Sequence, residues 1–154
     1  RTDFLTMTSG TGLLYSIFDR YGPYLNVSIG QRNNGVMISN GQGKALGYAL
    51  FNLQERGKLM IGHGEEVYEG MIIGIHSRNN DLVVNPLKAK QLTNIRAAGT
   101  DENIILTPPI RFSLEQALEF IDDDELVEVT PNAIRVRKKF LKEHERKRAS
   151  REAG

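Results

Sequence analysis

The residues best suited to chemistry lie in one long polar stretch, residues 76–107. Lys88, Lys90 and Arg96 occupy its middle, and no acidic residue stands between the first and the last of them. The same segment adds uncharged hydrogen-bond donors, namely Gln91, Thr93 and Asn94. A cluster of cations and neutral donors without acids is typical of a site for a polyanion, and nucleic acid is the obvious candidate.

The stretch also restricts how a nucleic acid could be held. Residues 77–111 contain no Phe, Tyr, Trp or His, so Arg96 is the only side chain in the acid-free segment able to stack on a base. Contacts should therefore go mainly to the sugar-phosphate backbone. Since connections of this length are either functional or disordered, a solvated mobile loop remains the alternative.

Other chemistry finds little support. The turn at residues 41–44 resembles the end of a phosphate loop, but that motif needs a glycine where Ile38 stands and a Ser or Thr where Ala45 stands. Ser9 and Ser39 lack the Gly-x-Ser-x-Gly context of a nucleophile elbow. We therefore expect neither a nucleotide site nor a catalytic serine.

Metal binding is also disfavoured. His63, His76 and His144 share no helical turn and no ligand spacing, and the chain has no Cys. The acidic run at residues 122–125 cannot direct all four carboxylates at one ion, so we expect these acids to be solvated or paired with cations. The sequence indicates no cofactor, no metal and no catalytic site.

The length of the chain allows one ordinary domain, or one domain plus a fragment of another. With 154 residues, 40% of them apolar, it can bury a core without disulfides or a metal. No apolar run approaches the roughly 20 residues that span a bilayer, and no signal-peptide pattern is present. We expect a cytoplasmic protein without a membrane partner, although the chain begins at Arg1 and an upstream region could hold an address.

Charge is divided unevenly along the chain. Residues 1–134 carry 11 basic and 16 acidic residues, a net of −5, whereas residues 135–154 carry 9 basic and 3 acidic residues, a net of +6. A basic tail on an acidic body is typical of a protein that binds RNA or DNA. A solubilising charged helix would give the same pattern.

Periodicity predicts an α+β fold: a mixed, mainly antiparallel sheet or partial barrel with two or three helices and a long polar loop. The predicted strands span residues 11–21, 35–39, 58–61 and 67–75. The predicted helices span residues 44–56, with Gly57 as a left-handed C-cap, 113–121, opened by a Ser-x-x-Gln capping box, and 142–153.

Four smaller features complete the prediction. Pro131 and Asn132 should turn a hairpin that pairs Val129 with Ile134, Val127 with Val136 and Glu128 with Arg135. A short helix could begin near Asn85 and Pro86 and end at Gly99. A glycine pair after Ser9 should stop the first helix, and a domain boundary is expected near Pro23.

Six stretches together resemble the carboxyl-terminal part of the BipA/TypA family of translational GTPases. They cover nearly the whole chain and are MTSGTGLLYSIFDRYGPY, GQRNNGVMISN, GKALGYALFNLQERGKL, GHGEEVYEGMIIGIHSRNNDLVVN, KQLTNIRAAGTDE and LEQALEFIDDDELVEVTPNAIRVRK. The resemblance implies that residues 1–22 are the last helix and strand of a ferredoxin-like module like that of elongation factor G. Residues 23–154 would then be the family-specific domain.

The resemblance also implies a function. Members bind the ribosome near the tRNA entry site, and a loop of this domain reaches toward the A-site tRNA acceptor end and large-subunit rRNA. They are associated with large-subunit assembly and with growth under cold or other stress. GTP and Mg belong to an amino-terminal GTPase domain that this chain lacks, so no GTP hydrolysis is expected here.

Carried onto this chain, the resemblance gives two sets of candidate RNA-binding residues. The loop set is Arg78, Asn80, Lys88, Lys90, Gln91, Thr93, Asn94 and Arg96, and the second set is Arg135, Arg137, Lys138 and Lys139. The two strand arginines could equally pair with Glu128 and its neighbours. Two rival functions stay open: a protein-interaction module that uses apolar side chains such as Leu25, Val27 and Ile29 or contacts its own upstream domains, and a stand-alone enzyme.

Overall fold

The computed structural model describes residues 2–24, 32–90 and 104–152. Within these ranges the chain forms a mixed, mainly antiparallel open sheet and α-helices, which confirms the predicted α+β class. In chain order the elements are α1 (Thr2–Met7), β1 (Val36–Ser39), β2 (Gly43–Lys44), α2 (Gly47–Leu53), a 3-10 turn (Gln54–Arg56), β3 (Gly57–Leu59), β4 (Glu66–Val67), β5 (Met71–His76), β6 (Leu82–Val84), α3 (Leu114–Phe120), β7 (Glu125–Val129), β8 (Ile134–Lys138) and α4 (Glu143–Glu152).

The main sheet is organised around β5. Its strand order is β6-β1-β5-β8-β7, with β1 and β6 parallel and the other pairs antiparallel. One edge of β5 pairs with β1, and the other edge pairs with two strands, each along a different part of its length. There β8 pairs with Met71 and Ile72, whereas β3 pairs with residues 74–76.

Each face of the sheet packs against its own helix. Because successive side chains on a strand point to opposite faces, Met71 and Ile73 join one core cluster and Ile72 joins the other. The first cluster contains Leu50 of α2, and the second contains Ala117 of α3. The sheet is therefore covered on both sides near β5.

Local sequence signals are confirmed where they are strongest. The Oγ of Ser113 accepts a hydrogen bond from the Gln116 amide at 3.3 Å, and the Gln116 side chain accepts one from the Ser113 amide at 2.9 Å, so both bonds of the predicted capping box are present. The hairpin has the predicted register, with Val129 opposite Ile134, Val127 opposite Val136 and Glu128 opposite Arg135. The exposed basic helix α4 lies within the predicted residues 142–153.

The predicted helix at residues 44–56 is too long, and its cap is wrong. Lys44 belongs to β2, α2 spans Gly47–Leu53, and a 3-10 turn follows. Gly57 has φ 162° and ψ −171°, which is extended backbone rather than a left-handed cap. A Cβ there would overlap the carbonyl oxygen of Ile75, so the glycine permits the close approach of β3 to β5.

The predicted strand at residues 67–75 is interrupted by a turn. The Met71 amide donates to the Tyr68 carbonyl at 3.1 Å, and Gly70 between them has φ 86°. A positive φ at the third of four residues is the geometry of a type II turn, which favours glycine. This segment, residues 68–71, is called the β4–β5 turn below.

Two further corrections concern extended segments. Residues 11–21 form no strand, because no neighbouring strand in the described ranges pairs with them. By contrast, β6 was not predicted and lies inside the long polar stretch, where it extends the sheet beside β1.

The predicted helix start at Asn85 is instead a turn, in which its Oδ1 accepts from the Leu87 amide at 2.9 Å. Gly99 lies outside the described residues.

The amino-terminal segment ends its helix as predicted. α1 stops at Met7, and Ser9 and Gly10 have φ values of 50° and 79°. Large apolar side chains in the following residues are exposed, including Tyr15, Ile17 and Phe18. Among the described residues, no helix combines the length and the apolar character that crossing a membrane would require.

Candidate nucleic-acid interface

The long polar stretch leaves the body from an ordered base. The turn after β5 is fixed by a 2.8 Å bond from the Gly35 amide to the Arg78 carbonyl and a 2.6 Å contact between His76 Nδ1 and the Asn80 carbonyl. The side chains of Arg78 and Asn80 are exposed. Both candidates are therefore presented to solvent by a rigid turn, and His76 serves that turn rather than a metal.

The outgoing stem of the loop is held to the beginning of α2. The Leu46 amide donates to the Pro86 carbonyl at 2.9 Å, and Leu87 packs against the first core cluster. The next cations, Lys88 and Lys90, are exposed. Gln91, Thr93, Asn94 and Arg96 lie outside the described residues.

The returning stem is held to the end of α2. The side chain of Gln54 donates to the Ile105 carbonyl at 3.1 Å and accepts from the Thr107 amide at 3.0 Å. Eight residues separate Leu46 from Gln54, and at 1.5 Å per helical residue the two anchor points are about 12 Å apart. The loop thus has two separate attachments to one helix.

The second candidate set does not form a single patch, because Lys138 is buried. Its side chain is only 3% exposed, and its Nζ lies 2.6 Å from Asp81, 2.9 Å from Asp124 and 3.0 Å from Glu125. Burial alone would lower the pKa of Lys138, but hydrogen bonds to these carboxylates outweigh it and raise the pKa above its ordinary value. Lys138 therefore holds the fold together, and we withdraw it from the RNA-binding candidates.

Arg32 completes this buried charge cluster. Its guanidinium donates two 2.8 Å bonds to the carboxylate of Glu125, which is fully buried, and stacks 4.5 Å from the centroid of Phe120. Burial would raise the pKa of Glu125, yet the bonds from Arg32 and the charge of Lys138 lower it. We call Arg32, Asp81, Asp124, Glu125 and Lys138 the charge cluster.

The other members of the second set are accessible. Arg135 and Arg137 are partly exposed, and Lys139 is exposed. Among the described residues, neither arginine comes within 4.0 Å of a carboxylate. Glu128, which lies opposite Arg135, instead accepts a 2.5 Å bond from the hydroxyl of Tyr68.

A cavity of about 710 Å³ opens where β3 and β8 part from the edge of β5. Its apolar wall includes Met60 and Phe112, and an Arg111–Glu65 ion pair and Arg135 line it as well. Burial would raise the pKa of Glu65, but the bond from Arg111 lowers it. The opposite charges of Arg111 and Glu65 largely compensate each other, so apart from Arg135 the lining of this cavity does not add to the cationic surface.

The candidate metal ligands are dispersed. In the part of the chain that the structure describes, no group of three or more His, Asp or Glu side chains could hold a metal ion. His63 and His144 are exposed, and within the acidic run Asp124 and Glu125 pair with Lys138. Asp122 and Asp123 are exposed, so the acids of that run are solvated or paired with cations, as expected.

Sequence reasoning missed three contributors: Arg32, Asp81 and Tyr68. A signal existed for the burial of Lys138, because the strand periodicity places it on the same face as the core residue Val136, next to an acidic run. No local signal could have linked Tyr68 to Glu128, since 60 residues separate them.

Comparison with known proteins gives a consistent result. A family model described as the TypA/BipA C-terminal domain matches residues 34–143. Among curated relatives, proteins named "Large ribosomal subunit assembly factor BipA" match over 151 residues, 98% of this chain: that of Salmonella typhimurium is 68% identical, that of Haemophilus influenzae 70% and that of Buchnera aphidicola 64%. The match covers 25%, 24% and 25% of those relatives, so the chain spans about a quarter of their length.

Proposed function

Because the chain belongs to the TypA/BipA C-terminal domain family, we propose that it is the ribosome-binding region of a translational GTPase. In this proposal the loop and the hairpin contact large-subunit rRNA and the acceptor end of the A-site tRNA. The carrying observation is the loop base: both stems are bonded to α2, and the first cations beyond the outgoing stem are exposed.

The loop is the principal contact in this proposal. Arg78 and Asn80 stand on an ordered turn at its start, and Lys88 and Lys90 follow its stem. The sequence adds further donors, namely Gln91, Thr93, Asn94 and Arg96. Because residues 77–111 contain no aromatic side chain, these groups recognise phosphate and sugar rather than base faces.

The hairpin supplies a second contact. Arg135, Arg137 and Lys139 are at least partly exposed, and the two arginines have no carboxylate within 4.0 Å among the described residues. Arg137 donates one bond to the Lys138 carbonyl at 3.3 Å, and a guanidinium without a carboxylate partner is well suited to a phosphate oxygen. The charge cluster lies behind this surface and fixes β8 in place.

The complete protein would provide the rest of the function. GTP and Mg would bind an amino-terminal GTPase domain, and GTP hydrolysis would accompany assembly of the large ribosomal subunit in the cytoplasm, including under cold or other stress. Relatives named as large-subunit assembly factors support this proposal. The exposed apolar side chains of residues 13–24 support contact with upstream domains of the same protein.

Salt dependence of binding tests the proposal. We would titrate the full-length protein against purified large ribosomal subunits at increasing salt, comparing wild type with a triple variant in which Lys88, Lys90 and Arg96 become Ala. Each lost phosphate contact makes the plot of log K against log salt less steep by roughly 0.7, so the slope of the triple variant should be shallower than that of wild type by about two units. A control replaces Arg20, Lys44 and Lys58, which are exposed and lie outside both candidate sets and the basic tail, and it removes the same charge elsewhere.

Two results would contradict the proposal. A wild-type affinity that does not change with salt would remove its electrostatic basis. Equal slopes for the triple variant and the control would show that the loop cations do not touch RNA.

A protein-interaction module without RNA contact is the second candidate. Exposed Leu13, Tyr15, Ile17 and Phe18 favour it, whereas Leu25, Val27 and Ile29 lie outside the described residues. Treating the ribosome complex with ribonuclease discriminates between the two functions, because association that survives RNA digestion favours the protein partner.

A further inference from the structure

Among the described residues, neither hairpin arginine pairs with a carboxylate, although an acid lies directly opposite one of them. Glu128 and Arg135 are cross-strand partners in the β7–β8 register. Directly opposite residues have Cβ atoms about 5 Å apart, and opposite charges at such positions normally attract. An ion pair between them would neutralise one of the two charges offered to a polyanion.

The carboxylate of Glu128 is occupied by another group. The Tyr68 hydroxyl donates to its Oε2 at 2.5 Å, and no ion pair to Arg135 or Arg137 forms within 4.0 Å among the described residues. A hydrogen bond to an ionised acceptor is short and stronger than a neutral one. The bond therefore competes with an ion pair to Arg135, which partial exposure to solvent weakens.

Tyr68 is held in this position by its own surroundings. It begins the β4–β5 turn, and its ring packs against the first core cluster. Burial and then the bond to Glu128 raise the pKa of Tyr68, while the nearby charges of Arg137 and Arg135 oppose that rise. The phenol consequently stays protonated and remains a donor at any physiological pH.

We propose that Tyr68 is a positioning residue that sequesters the Glu128 carboxylate and thereby keeps Arg135 and Arg137 free to bind RNA phosphates. This inference rests on the proposed function, because it explains how the hairpin retains its charge. In this inference, one hydrogen bond from the Tyr68 hydroxyl determines whether the Glu128 carboxylate pairs with Tyr68 or with Arg135.

A double-mutant cycle tests the idea in the full-length protein with purified large ribosomal subunits. In Tyr68→Phe the freed carboxylate of Glu128 should pair with Arg135. Binding should therefore weaken about two- to fivefold, and the plot of log K against log salt should become less steep. Glu128→Gln should bind at least as tightly as wild type. The double variant, Tyr68→Phe with Glu128→Gln, should recover wild-type binding because no carboxylate is left to compete.

The cycle separates positioning from a merely structural role. If Tyr68 only packed against the core, Tyr68→Phe and the double variant would weaken binding equally, and the inference would be overturned. No loss in Tyr68→Phe would overturn it as well. Melting temperatures of all variants identify a change that acts through unfolding, and the double variant, which also lacks the hydroxyl, controls for it.

A further pair of variants distinguishes this inference from the proposed function. Replacing Arg135 and Arg137 by Ala should weaken binding and reduce the salt slope. If that double replacement has no effect, the hairpin does not contact RNA and the proposed function loses its second contact. If it weakens binding while Tyr68→Phe does not, only the role of Tyr68 is wrong.

Discussion

Lys138→Met should destabilise the protein, whereas the same change at the neighbouring Lys139 should not. Lys138 is 3% exposed and meets three carboxylates, while Lys139 is exposed. Methionine keeps most of the apolar stem of lysine but lacks the terminal ammonium, so it removes the charge together with its hydrogen bonds. The pair therefore measures what the buried ammonium contributes.

The magnitude follows from the exposure of each partner. Asp81 and Asp124 have side chains 38% and 63% exposed, so their ion pairs with Lys138 contribute little on their own. Glu125 is fully buried, and removing one partner of such a charge costs about 3–5 kcal/mol. Arg32 still pairs with Glu125 in the variant, so we expect the lower end, about 3 kcal/mol.

Denaturant and thermal unfolding check this value. For a chain of about 150 residues, 1 kcal/mol shifts the melting temperature by roughly 2–4 °C, so Lys138→Met should melt about 6–12 °C lower. Lys139→Met should stay within about 0.5 kcal/mol of wild type, as surface changes do. Equal stability of the two variants would refute the buried ion pairing. Lys138 would then count again among the accessible cations.

The remaining predictions concern pH, a helix cap and a crowded glycine. The bonds from Arg32 and the charge of Lys138 hold the pKa of Glu125 below the ordinary value of a glutamate side chain, so Glu125 stabilises the fold above that ordinary value, and this stabilisation is lost as pH falls through the lower folded pKa. Melting temperatures measured between pH 7 and 3 should show the loss, and a stability independent of pH there would contradict it. Ser113→Ala should cost about 1 kcal/mol in urea unfolding, and Ser113→Asp, which can also cap, should cost less. Gly70→Ala should destabilise the protein by more than Gly64→Ala. Both glycines have a positive φ, 86° and 80°, but only at Gly70 would a Cβ meet another residue, at 2.6 Å from the Leu141 Cα. Equal melting temperatures of the two variants would rule out this steric contribution.

Local patterns were enough to predict the hairpin and α3. The hairpin register follows from alternating side chains around Pro131 and Asn132, and α3 follows from Ser113 and Gln116, three residues apart. Each of these signals lies within about ten residues, where propensity and capping act directly. The predicted register and cap were therefore both confirmed.

Features that depend on distant residues could not be predicted in the same way. β6 is a strand because β1 lies beside it, some 45 residues earlier in the chain. Gly57 was read as a helix cap because its role depends on Ile75, with which no local pattern connects it. Pairing partners that are far apart in sequence override local preference.

The same difference between local and distant residues applies to the candidate site. Charge and polarity located the loop and the hairpin cations, but they could not distinguish Lys138 from Lys139. Strand periodicity places Lys138 on the face of Val136, but only the fold shows that Asp81 and the acidic run converge on its ammonium from separate segments. Sequence therefore identifies which residues are charged, and the fold decides which of them remain accessible.

The β4–β5 turn joins parts of the molecule that would otherwise open independently. Besides Tyr68 and its bond to the hairpin, Glu69 accepts from the amide of Glu143 at 3.2 Å at the beginning of α4, and Gly70 accepts from the Lys138 amide at 2.9 Å. Four consecutive residues thus hold the hairpin, the carboxyl-terminal helix and the central strand. We expect the amide protons of β8 and of the first turn of α4 to exchange with solvent in one cooperative event, so that both cationic elements keep or lose their orientation together.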